Sequence, residues 1–214
     1  MAFGITVSGG GDGEDFLPLL TYNAKGGRMK TRDRVEGPNG WEAREEDLTG
    51  KQPSFVMDLA NVMVGWLFFK AGMQPVKAVV PNGQPIPDCP TGDFGKTDQG
   101  KPAKPKQGFV LRVLDNQRVL REFSSNAAGV VNAMGELHTQ YETAPEAAQG
   151  LLPVVQHIGD EELRNKHGSN FAPKFVIVKW IPRPAEFGPA FTKGAPINPR
   201  PAAAPAKQMA DAPF

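Results

Sequence analysis

The sequence predicts a mainly β fold in which one helix separates three strands from two more. Three observations carry that prediction. Runs rich in β-branched and aromatic residues recur along the middle of the chain, a short polar connection joins two of them, and helical periodicity appears once, after the third run. In a chain of 214 residues, a hydrophobic content of 40% supplies a core, while 24 Gly and 21 Pro demand long connections and irregular ends.

Residues 1–53 open with a flexible glycine run, Ser8 to Gly13, and then become charged. Lys25, Arg28, Lys30, Arg32 and Arg34 lie close together with only Asp33 among them, and the acidic Glu42, Glu45, Glu46 and Asp47 follow. Alternating charge blocks of this kind read as a solvated N-terminal extension or arm. Gly26 and Gly27 would also suit a loop that lets a phosphate backbone approach closely. Extending a groove, adding strands and mediating self-association all stay open as roles for this region. The glycine run is not a Walker-type phosphate loop, because no Gly-Lys-Ser/Thr ending follows it.

Residues 54–184 read as the folded domain. Phe55, Val56, Leu59, Val62, Val64, Trp66, Leu67, Phe68 and Phe69 mark a long strand across 54–70, bent near Ala60-Asn61. A Pro- and Gly-rich connection covers 81–107. Strands at 109–114 and 119–123 then face each other across Asp115-Asn116-Gln117 as a hairpin. Ser124, Ser125 and Asn126 offer an N-cap to a helix on which Val130, Met134, Leu137 and Tyr141 recur at helical spacing, and Pro145 bars its continuation. Strands at 154–158 and 174–181 follow, separated by a polar loop containing Arg164, Lys166 and His167.

A helix between the third and fourth of five strands is the order of the OB-fold, a Greek-key barrel. Its loops between strands one and two and between strands four and five flank a nucleic-acid groove. Both of those connections carry basic residues here. Residues 185–214 form the last region, where Pro189, Pro196, Pro199, Pro201 and Pro205 remove backbone donors and few large apolar residues remain. A disordered, semi-extended tether is expected there.

Charge and composition narrow the function. The formal net charge is only +1, so any nucleic-acid site must arise by local clustering of cations. A single Cys89 excludes an internal disulfide and fits a reducing cytoplasm. The chain has no apolar run of membrane-spanning length and no signal pattern at its N-terminus, which predicts a protein without membrane association. Enzymatic readings find little support. His138, His157 and His167 form no metal-ligand spacing with Cys89, and Ser124-Ser125 is explained by capping. Asp160-Glu161-Glu162 reads as a solvated acidic run, and no Gly-x-Ser-x-Gly elbow is present. The expectation is a binding module with no metal and no cofactor.

Binding a single strand without sequence preference requires cations for phosphates and exposed rings for bases. The candidates are Trp66, Phe69 and Lys70 at the first strand, Lys96, Lys101, Lys104 and Lys106 in the first long connection, and Phe109, Arg112, Arg118, Arg121 and Phe123 on the hairpin. Lys166, Lys174 and Lys179 add cations at the last two strands. Trp66, Phe109 and Phe123 are the leading stacking rings, although a small barrel also needs aromatics inside. The loop lysines suit a clamp on phosphates, since lysine acts as a point charge with little geometric demand; a solvated linker is the alternative.

The chain ends Asp211-Ala212-Pro213-Phe214. A terminal phenylalanine on an extended arm has no core of its own to join, so its ring leaves water only in a pocket of another protein. Pro213 limits the entropy lost on capture. This tip resembles that of the bacterial single-stranded DNA-binding proteins, which end in an acidic run followed by Pro-Phe; here only Asp211 stands near the tip. Together with Asn61-Val62-Met63-Val64-Gly65-Trp66, Arg121-Glu122-Phe123-Ser124-Ser125 and Phe171-Ala172-Pro173-Lys174-Phe175, residues 54–187 resemble the phage-encoded single-stranded DNA-binding proteins.

The resemblance implies an OB-fold that binds single-stranded DNA and protects and organises intermediates of replication, recombination or repair in the host cytoplasm. It also implies that Asp211, Pro213 and Phe214 recruit replication or recombination proteins. Self-association is left open. Two other readings stand beside it: a phage structural or assembly protein with a β-barrel core, and an RNA-binding OB-fold protein.

Overall fold

The computed structural model describes residues 17–38, 40–97, 99–165 and 168–190. In chain order the elements are β1 (Leu19–Asn23), β2 (Arg28–Gly37), β3 (Gly40–Asp47), β4 (Ser54–Met57), β5 (Met63–Phe68), β6 (Val76–Pro81), β7 (Lys106–Leu114), β8 (Leu120–Ser125), α1 (Ala128–Thr143), α2 (Pro145–Ala148), β9 (Leu151–Asn165) and β10 (Gly168–Pro182). The fold is mainly β. Its strands join one mixed sheet in the order β10-β9-β4-β7-β8-β1-β2-β3, with β5 pairing β7 and β6. β1 and β8 run parallel, and the other pairs are antiparallel.

The long strand expected across 54–70 is two strands on one edge of β7. β4 pairs Val113 and Leu114, β5 pairs residues 106–110, and a 3₁₀ turn at Leu59–Asn61 divides them. The cause is a buried carboxylate. Asp58 is fully buried and receives the Arg183 guanidinium at 2.8 and 2.6 Å, with Asn61 Nδ2 donating to it at 3.0 Å. An extended ladder would leave that ion pair unmade, and a buried unpaired carboxylate is far costlier than a broken strand.

β6 was not foreseen, because prolines and glycines surround its short apolar run. Gly65 lets β5 approach it. Its φ is +154°, and a Cβ there would meet Ala78 O at 2.2 Å. The expected hairpin of β7 and β8 forms around Asp115, whose carboxylate accepts the backbone N–H groups of Gln117 and Val119, each at 2.9 Å.

The expected helix is α1. Its buried stripe is Val130, Met134, Leu137 and Tyr141, and the chain leaves the helix at Ala144, before Pro145. The cap differs from expectation. Ser124 and Ser125 are the last residues of β8, Ala127 is the N-cap, and Asn126 Nδ2 donates to Leu67 O at 3.0 Å instead. β9 and β10 are longer than predicted at 15 residues each, so Arg164 lies on β9 opposite Ser169 rather than in a loop. Polar residues obscured this ladder because both of its faces are largely wet there.

The N-terminal region is no solvated arm where it is described. β1 enters the sheet beside β8, and Leu20 and Met29 are buried in one core with Phe123, Leu111 and Met57. Each such side chain contributes about 1.5–3 kcal/mol by leaving water. The turn after β1 also reaches β10: Phe171 N donates to Ala24 O at 2.6 Å. Gly27, at φ +59°, permits this approach, since a Cβ there would lie 3.0 Å from the Phe171 ring. At the other end, packing continues past the expected start of the tail, with Phe187 buried in a short 3₁₀ turn.

Candidate nucleic-acid interface

Strand alternation fixes what β2 presents. Met29 and Thr31 are buried, and Asp33 faces inward to Arg121, so Arg28, Lys30, Arg32 and Arg34 stand together on the opposite face. The register carries that face across the sheet. Arg112 pairs Glu122, Glu122 pairs Leu19, Leu19 pairs Arg32 and Arg32 pairs Glu45, and directly paired residues share a face. Arg112 of β7 therefore lies on the same surface as the β2 cations, with the uncharged Leu19 and Thr21 of β1 between them.

The local acids are partly committed. Glu122 takes Lys77 Nζ at 2.5 Å, and Glu45 takes Lys30 Nζ at 3.2 Å. Asp47 accepts the Thr49 N–H at 2.9 Å, and hydrogen bonds from the Thr49 side chain and backbone hold its carboxyl below the usual range. Arg28, Arg32 and Arg112 make no ion pair among the described residues.

At the far end of the stripe stands Trp41. Its Cα partner is Glu36, which places it on the cation face, and it is 58% exposed even though the Arg34 guanidinium lies 4.9 Å from its ring centroid. Neither Trp41 nor the β2 cations were among the candidates drawn from sequence. The signal was present in the alternation of cations with Met29, Thr31 and Asp33 over 28–34, hidden by treating the whole block as an arm.

The sequence candidates separate into three groups. Phe109 and Phe123 are corrected outright: they are 3% and 0% exposed, pack edge-to-face on each other, and offer no ring to a base. Arg121 is corrected as well. It is buried with Nε on Asp115 at 2.8 Å and Nη1 on Asp33. Burial works against its charge, but the hydrogen bonds to Asp33 and Asp115 outweigh that and hold its pKa above the ordinary arginine value. Arg121 is a strut between β8 and β2.

A second group is present at the surface but engaged. Trp66 is half-buried, with Nε1 donating to Pro87 O at 2.8 Å. Arg118 pairs Glu186, and Lys174 pairs Glu161 at 3.4 Å. Trp180, the remaining tryptophan, stacks on Tyr141. The third group is exposed: Phe69, Lys70, Lys96, Lys101, Lys104, Lys106, Arg112 and Lys179. Lys70 Nζ donates to Lys96 O at 3.3 Å, which ties the segment after β5 to the middle of the connection between β6 and β7. Lys166 and the tip residues Asp211, Pro213 and Phe214 lie outside the described residues.

Comparison with protein-family models, curated proteins and solved structures returns no match. No helix among the described residues is long and apolar enough to cross a membrane. His157, Asp160 and Tyr22 do converge, but as a buried structural network: Tyr22 O–H donates to Asp160 Oδ1 at 2.6 Å, and His157 Nε2 lies 3.1 Å from the same oxygen.

Proposed function

We propose that the chain binds single-stranded DNA without sequence preference, protecting and organising intermediates of replication or recombination, with no catalytic step. The observation that carries this reading is the outer sheet face itself. In a chain of net charge +1, it gathers Arg28, Arg32 and Arg112 free of ion pairs among the described residues. Unneutralised arginines on a common face are costly to one another and gain most from a polyanion that releases its counterions on binding.

Within this reading the barrel is an OB-fold. β4–β5, β7, β8, β9 and β10 serve as its five strands, α1 lies between the third and fourth, and β1 extends the sheet beyond β8. The pairings of β7 with β4, β5 and β8, and of β9 with β4 and β10, support that assignment. The tip at Asp211, Pro213 and Phe214 recruits replication or recombination proteins. The protein acts in the cytoplasm of a host cell.

The test is anisotropy of a labelled oligo-dT strand titrated with the full chain, repeated at several salt concentrations and against duplex and RNA competitors. Retention that falls steeply with salt, with weak duplex competition, supports the reading. RNA binding in preference to DNA would move the protein to RNA. A flat signal at low salt would remove the nucleic-acid reading and leave an assembly protein.

A further inference from the structure

We propose that the β2–β3 hairpin is the primary track for the strand and that Trp41 is its base-stacking residue. This rests on the nucleic-acid reading above and assigns it a place outside the five strands of the proposed barrel. All eight residues of β3 are exposed, so the strand contributes little to the core, yet it carries the most exposed large hydrophobic residue described in the chain. The Arg34 guanidinium beside the Trp41 ring orders it against the sheet by a cation–π contact. A ring that remains 58% exposed under that contact still has a surface for a base.

The competing rings are occupied. Phe109 and Phe123 are buried, Trp180 is stacked on Tyr141, and Trp66 is held by Pro87. Phe69 is exposed at 40% but has a smaller π-face than an indole.

The cations fit a strand better than a point ligand. Alternate residues of an extended strand are about 6.6–6.8 Å apart, so Arg28, Lys30, Arg32 and Arg34 form a linear series of charges rather than a cluster. A repeating polyanion matches such a series, whereas a single phosphate would meet only one or two members. The stripe ends at Trp41, and the uncharged Leu19 and Thr21 flank it on the side facing Arg112. Underneath, the Asp33–Arg121 ion pair ties β2 to β8, so the track is anchored to the core.

The test uses the full chain carrying Trp41→Ala, Trp41→Phe, Arg32→Gln or the paired Lys101→Gln/Lys104→Gln, read by both tryptophan quenching and anisotropy of labelled oligo-dT. Trp41→Ala should abolish most of the quenching and weaken binding about ten- to a hundredfold, while Trp41→Phe keeps part of the affinity. Arg32→Gln should reduce the log–log salt slope by about 0.7, the increment expected for one phosphate contact on a single strand. Wild-type affinity and quenching in Trp41→Ala, with binding lost in the paired lysine variant, would move the track to the connection before β7 and overturn this proposal while sparing the function. Absence of binding by the wild-type chain at low salt would overturn both.

Discussion

Arg121 and Arg32 show how two arginines in one chain come to opposite uses. Both belong to strands, but Arg121 points inward to Asp115 and Asp33, and Arg32 points outward. Arg121→Ala would leave the buried Asp115 carboxylate without its cation and is expected to cost about 3–5 kcal/mol in urea unfolding. Arg32→Gln, by contrast, should leave stability within about 0.5 kcal/mol of wild type. Similar losses from both substitutions would contradict the assignment.

Tyr22 gives a second test at this scale. Burial, followed by the hydrogen bond to Asp160 and its negative charge, pushes the phenol pKa well above the ordinary tyrosine value of about 10. A raised pKa in the folded state means that the contribution is complete below pH ~10. It is lost as pH rises beyond that, because the unfolded chain ionises first. Tyr22→Phe should cost about 1–3 kcal/mol near neutrality and make stability decline less between about pH 9.5 and 11. An unchanged alkaline decline in urea melts would sink this account.

Among the elements, those built from local contacts were legible and those built from distant ones were not. The buried stripe of α1 and the β7–β8 hairpin follow from spacing and from a turn that Asp115 closes by itself. The break between β4 and β5 depends on Arg183, 125 residues away from Asp58, and no local pattern announces it. β6 depends on the close approach that Gly65 allows. Gly65→Ala combines an unfavourable backbone angle with a contact of 2.2 Å to the Ala78 carbonyl oxygen. It should destabilise the protein by about 1–3 kcal/mol or more and raise amide exchange across β5 and β6 first. Uniform exchange in that variant would show that the pair is not strained locally.

At the scale of the molecule, net charge says little about binding, because cations can gather locally on one strand. The chain is nearly neutral, yet β10 offers its lysines singly while β2 lines up four cations on one surface. Neutralising about four to six phosphates should give a log–log salt slope near −3 to −4, measured by titrating oligo-dT at increasing salt. A slope near zero with retained binding would point to stacking alone.

By itself the sequence determined the mainly β character, the β7–β8 hairpin and the buried face of the long helix, because periodicity is a property of neighbouring residues. Only the tertiary structure decided that β1, β2 and β3 belong to the sheet, that Phe109 and Phe123 fill the core, and that Arg121 is a strut while Trp41, Arg28 and Arg32 stand exposed on the opposite face. Those outcomes turn on strand register. A shift of one residue exchanges the two faces of a strand, and register is set by partners about 90 residues or more away, such as Phe123 for Leu20 and Arg121 for Asp33.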